Sequence, residues 1–135
     1  MRGVLVDTGA LVALVRARDK YHSLVTQFFG EFLFGDFITT LPVLTEAMHL
    51  APAQVGPAVI ELARGSRWRV PDAAGGLGRI AELMRKYADR PMDFADASLV
   101  WAAEETHVRE ILTTDRDFEI YRTRTHERLQ LVLAL

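Results

Sequence analysis

Cysteine is absent from this chain of 135 residues, so disulfides, thiolate zinc sites and cysteine nucleophiles are all excluded. Lysine is scarce: Lys20 and Lys86 stand alone, and every other cation is an arginine. Positive charge is not in excess either. The formal net charge is -2, which argues against a general nucleic-acid coat but not against an enzyme that touches nucleic acid through a few arginines or metal ions. No apolar run is long enough to span a membrane, and Met1-Arg2-Gly3 leads directly into a short apolar strand without a signal-peptide pattern. A cytoplasmic protein with no membrane partner is the expectation. Internal repeats, low-complexity tracts and long linkers are also missing.

What is present suits one compact unit. Half of the residues are hydrophobic and a quarter are charged, the balance of a globular chain with a proper core. The length fits a single domain over residues 1–135.

Along the chain, strand and helix patterns alternate. Residues 2–6 read as a buried strand, and 8–18 as a helix with Leu11, Leu14, Val15 and Arg18 at helical spacing, broken by Asp19-Lys20. Residues 21–34 form a second helical stretch, in which Tyr21, Leu24, Val25, Phe28, Phe29 and Phe32 recur at three- and four-residue intervals before Gly35 ends it. Phe37–Thr40 reads as a strand. Pro42 opens a helix running to about Leu50, with Pro52 at its end. Residues 56–64 are helical, Trp68–Val70 is a short strand, and Pro71–Gly78 is a loop. Helices at 79–88 and 94–106 flank the turn Asp89-Arg90-Pro91. Arg109–Thr113 is a strand closed by Asp115, and Leu129–Ala134 is the last strand. This order predicts an α/β, three-layer fold: a central, mostly parallel sheet of four to five strands flanked by helices. Such sheets hold their sites beyond the carboxyl ends of the strands, where Asp7 and Asp115 both fall.

Four stretches carry acids that plain packing does not require: "VDTGAL" (Asp7), "LTEAMHL" (Glu46), "MDFADASLVWAA" (Asp93 and Asp96) and "LTTDRDF" (Asp115 and Asp117). Taken singly, most have an ordinary structural role. Asp7 and Asp93 suit helix N-caps, Asp96 suits the first turn after a cap, and Asp115 suits a turn. Glu46 is harder to place, because Leu41, Val43, Leu44, Ala47, Met48, Leu50 and Ala51 make nearly every face of its helix apolar. Partial burial of that carboxylate costs energy or shifts its pKa unless a cation compensates. Taken together, the acids would converge on one pocket suited to a hard divalent cation, which prefers oxygen ligands and promotes phosphodiester hydrolysis.

These motifs, in this order and over essentially the whole chain, resemble a PIN domain, and their spacing and flanking residues resemble those of the VapC-type ribonuclease toxins. The resemblance implies a PIN-like fold and a metal-dependent ribonuclease. Asp7, Glu46, Asp96 and Asp115 would form the catalytic quartet that binds Mg2+ or Mn2+, with Asp93 as a further ligand, a supporting acid or a cap only. Thr8 would orient a carboxylate or water beside Asp7, and Thr113 would support Asp115. The chain departs from the commonest pattern at Gly9, where the family often has serine. The resemblance further implies an RNA substrate, an antitoxin protein packing along the early helices, and a homodimer.

Other residues are read for themselves. Arg116, next to Asp115, is placed for a substrate phosphate. Arg64, Arg67 and Arg69 surround a strand and suit either RNA phosphates or a solvated face. His49 lies three residues after Glu46, where it either lines the pocket or sits on the surface. The aromatic segment "YHSLVTQFFGEFLF" supplies core and, on its remaining surface, a partner contact. A receiver-like phosphoacceptor domain fits less well, since it needs a lysine at a late strand end and leaves Glu46 without a role. A non-catalytic module on the same fold would be expected to have lost one of the acids. A housekeeping RNA-processing nuclease without an antitoxin stays open.

Overall fold

The computed structural model describes residues 2–133. Five strands form one sheet: β1 (Gly3–Val6), β2 (Asp36–Ile38), β3 (Trp68–Arg69), β4 (Glu110–Leu112) and β5 (Gln130–Leu131). Their spatial order is β3-β2-β1-β4-β5, and every neighbouring pair is parallel. Six helices connect and cover them: α1 (Thr8–Val15), α2 (His22–Glu31), α3 (Leu41–Leu50), α4 (Gly56–Ala63), α5 (Leu77–Lys86) and α6 (Phe94–Thr106).

The core explains why the central strands are continuous apolar runs. Val4, Leu5, Val6, Ile38, Ile111 and Leu112 are fully buried, as expected of parallel strands covered on both faces. Helix α6 is the most deeply buried: Ala95 and Ala97 through Ala103 are all inside, so its apolar positions run round the whole helix rather than along one stripe. Helix α5 shows the opposite pattern, burying only Ile80 and Leu83 and exposing its charged face.

Several boundaries differ from those predicted. Helix α1 stops at Val15 instead of Arg18, because Arg16 takes extended backbone and the Asp19 side chain accepts from the Tyr21 N–H to form a turn. Helix α2 stops at Glu31 instead of Phe34. Phe32 turns into the core, and the Arg67 guanidinium takes its carbonyl (2.6 Å) and that of Gly35 (3.3 Å). Gly35 has φ +124, and a Cβ there would lie 2.2 Å from the Arg2 carbonyl, so glycine is required at this reversal. Arg67 is thus a structural residue stacked against Phe32 and Phe37. The predicted loop 71–78 contains a 3-10 turn at Ala73–Gly76, and α5 starts two residues early, at Leu77. A 3-10 turn also follows Asp115 at Arg116–Glu119. The last strand is shorter than predicted, and Ala134 lies outside the described residues.

The strand order creates one topological switch point. From β1 the chain moves to β2 on one side, while β4 lies on the other, so a crevice opens beyond the carboxyl ends of β1 and β4.

Candidate active site

Asp7 leaves β1 at this crevice and caps α1. Its backbone N–H continues the sheet by donating to the Leu112 carbonyl (3.1 Å), and its side chain accepts from the Thr8 N–H (2.7 Å). The second carboxylate oxygen accepts from the Thr113 hydroxyl (2.7 Å), which itself accepts from the Asp115 N–H (3.0 Å). One hydroxyl at the end of β4 therefore ties the two strand-end acids together. Asp115 in turn caps the following 3-10 turn, accepting from the Asp117 N–H (2.9 Å).

Asp93 and Asp96 belong to α6. Asp93 is the N-cap, accepting from the Asp96 N–H (2.8 Å), while the Asp96 carboxylate accepts from the Asp93 N–H (3.2 Å): a reciprocal capping box. The cap reading of Asp93 therefore holds. Its charge nevertheless bears on both Glu46 and Asp96. Glu46 reaches the crevice from α3, whose start is fixed to α6 by a hydroxyl pair, Thr40 to Ser98 at 2.6 Å; Ser98 also donates to the Ala95 carbonyl.

The electrostatics bear the mark of acids crowded into one place. Asp7, buried, is pushed up to about 6, chiefly by burial and further by the charges of Asp115 and Asp93, against the pull of Thr113 and the Thr8 N–H. Glu46 and Asp96 are also held well above the carboxylate range. For both the largest cause is burial, followed by the charge of Asp93, and Asp7 acts on each. Asp7, Glu46, Asp93, Asp96 and Asp115 thus take part in one field.

Do these residues fit a divalent cation? Among the described residues, no three acids or histidines are close enough together to form a ready-made metal site. The donor set is nonetheless all oxygen, which suits Mg2+ or Mn2+, and Mg2+ commonly takes one or two carboxylates with waters completing its shell. A second observation agrees. The Thr8 hydroxyl is buried with no hydrogen-bond partner among the described residues, close enough to Glu46 to favour its ionised form without completing a bond. A water or ion shell in the crevice would satisfy it. The residues fit.

The remaining candidate residues lie on the surface, which for Arg64 and His49 is one of the two readings the sequence allows. Arg116 is exposed and lies 3.4 Å from Glu119 on its own turn. Arg64 pairs with Glu61, and His49 is exposed on α3. Two contributors are missed by sequence reasoning. Ser98 looks like a small core residue in an apolar helix. Tyr121, buried and packed edge-on against Tyr87 and Phe118, has its hydroxyl pushed up by burial and then by Asp96, Asp117, Asp115 and Asp93. It sits three residues after Phe118, a packing signal with no polar cue.

Comparison with known proteins agrees with this fold. A family model described as "PIN domain" matches residues 4–123. The chain is 29% identical over 119 residues to ribonuclease VapC26 of Mycobacterium tuberculosis, covering 84% of this chain and 87% of that protein. It is also similar in fold to the crystal structure of VapC20 of Mycobacterium tuberculosis, described as a sarcin-ricin loop cleaving toxin. The TM-score is 0.79 at 20% identity, over 87% of this chain and 93% of that one.

Proposed function

The chain belongs to the PIN domain family, and from that premise we propose that it is a metal-dependent endoribonuclease, the toxin of a VapBC-like toxin–antitoxin pair. The observation that carries the proposal is the convergence of Asp7, Glu46 and Asp96, each held above the ordinary carboxylate range, in one field with Asp93 and Asp115. Such a cluster is unfavourable to a fold unless a cation uses it.

In this reading Asp7, Glu46, Asp96 and Asp115 hold Mg2+ or Mn2+. The bound ion supplies the Lewis acidity that activates water and offsets charge on the leaving oxygen. The chain's own residues do the rest. Thr113 fixes the direction of the Asp7 carboxylate, and the Thr8 N–H holds its other oxygen. The capping box orients one oxygen of Asp96 and leaves the other for the crevice. The Thr40–Ser98 pair sets the position of α3, and with it Glu46, against α6. An antitoxin, a homodimer and a single-domain organisation over 1–135 belong to the same proposal. It is supported by the ribonuclease name of the relative and by the share of the chain that the match spans.

The test is RNA cleavage with Mg2+ or Mn2+, comparing the wild type with Asp7→Asn and Asp96→Asn. Each substitution removes a charge but keeps a polar group, and each is expected to reduce cleavage at least about a hundredfold, the scale of losing a catalytic electrostatic contact. Equal cleavage by all three proteins, or cleavage that survives a chelator, would refute the proposal.

A further inference from the structure

A groove of about 450 Å³ runs along the start of α1 and the turn after it, and two residues next in sequence to the acidic site belong to its lining. Its inner wall is Gly9 and Thr114, neighbours of Thr8 and of the Thr113–Asp115 pair; its outer wall is Arg16, Lys20 and Tyr21, with Leu50 from α3. Three features bear on what it holds. First, Arg16 and Lys20 are exposed cations in its lining, and among the described residues no ion pair engages either, a condition they share with most of the chain's arginines. Second, the acid that lines the same groove, Asp19, uses its side chain on the Tyr21 N–H, and Lys20 lies 4.9 Å from the Tyr21 ring centre, so the turn presents its cations in a fixed arrangement. Third, the inner wall depends on a missing side chain: a Cβ on Gly9 would come 2.7 Å from the Thr114 hydroxyl. Glycine at position 9 lets that hydroxyl stand at the junction of groove and crevice.

We infer that this groove is the subsite for the RNA strand next to the scissile bond, with Arg16 and Lys20 binding a flanking phosphate and Thr114 contacting the backbone between them and the acids. The inference rests on the nuclease reading above. A cluster of carboxylates repels a polyanion, so a substrate phosphate approaches it only if nearby cations hold the adjoining chain. The net charge of -2 leaves that work to local groups, and the unpaired cations that line this groove do it. Single-stranded RNA fits best, because an open groove with one cationic wall tracks one backbone.

The experiment uses the full chain carrying Asp7→Asn, so that the probe is not cut, and a fluorescein-labelled single-stranded RNA of about 12 nucleotides, within the range such grooves occupy. Binding is followed by anisotropy as salt is varied. Adding Arg16→Ala and Lys20→Ala is expected to weaken binding about tenfold and to flatten the salt dependence by about 1.4 in log–log slope, two single-strand contacts' worth. Arg109→Ala with Arg128→Ala removes the same charge at the amino ends of β4 and β5, far from the groove, and is expected to change affinity less than about twofold. Equal weakening by both pairs overturns the subsite, since only overall charge would then matter. No weakening by either also overturns it, and is the result expected if the groove serves a protein partner instead. Cleavage distinguishes the two readings. Undiminished cleavage with unchanged KM in Arg16→Ala/Lys20→Ala removes the subsite and leaves the nuclease. An inactive wild type whose RNA binding still depends on this pair removes the nuclease and leaves the binding site.

Discussion

At the scale of single residues, Thr113 has the most specific task. Its hydroxyl donates to Asp7 and accepts from the Asp115 N–H, and both Thr113 and Asp7 are buried. Thr113→Val keeps the shape but leaves a buried carboxylate oxygen without its donor, a loss of about 1–3 kcal/mol. Thr113 also pulls the Asp7 pKa down, so the substitution raises it further above about 6. Thr113→Ser keeps the hydroxyl and is expected to keep both properties. Denaturant melts, and a carboxyl titration of Asp7 followed by NMR, separate the two variants. Equal stability of Thr113→Val and wild type would show that the bond contributes nothing.

At the scale of elements, α6 combines two uses of one sequence. Its capping box makes Asp93 and Asp96 the start of a buried helix, and the same placement brings their charges to Glu46. Substitution separates these uses. Asp93→Ala removes the cap and is expected to cost about 1 kcal/mol of stability. Asp93→Asn retains a good N-cap and removes only the charge, so the cap's contribution is kept while the pKa values of Glu46 and Asp96 fall, since Asp93 raises both, and stability at neutral pH rises. Thermal melts and NMR titration of the carboxyls check the pair. An unchanged Glu46 titration in Asp93→Asn would mean that the two acids do not share a field.

At the scale of the whole molecule, the acidic cluster sets how stability depends on pH. Asp7 goes from an ordinary value of 3.8 to about 6 on folding, so the folded chain binds its proton more tightly. That stability is fully present below pH 3.8 and is lost as pH rises through 6. At about 1.4 kcal/mol per pH unit, Asp7 alone accounts for about 3 kcal/mol. Glu46 and Asp96 act in the same direction. The metal-free protein is therefore expected to lose stability between about pH 4 and 8 through these groups. On the proposed reading Mg2+ would bind the ionised acids, so the Tm gain on adding it should grow over the same range. Asp7→Asn should be more stable than wild type without metal at pH 8 and should gain less from Mg2+. Calorimetry across pH with and without the ion decides this; a gain independent of pH, or the same in the variant, would contradict it.

The alternating pattern, the apolar strands and the position of each acid at a strand end or helix start were legible because they are local properties. Periodicity marks faces, Pro42 marks a helix start, and an Asp after a buried strand stands out against its neighbours. Helix ends were less legible. Glu31 ends α2 because Arg67, distant in sequence, takes the Phe32 carbonyl. The sequence by itself determined the fold class, the four acidic motifs and their order, since these follow from residue type and spacing alone. Only the tertiary structure decided that β1 lies between β2 and β4, that one threonine ties Asp7 to Asp115, that Ser98 pins α3 to α6, and that Gly9 makes room for Thr114. Each of these joins residues far apart in the chain, and no local pattern encodes such a pairing.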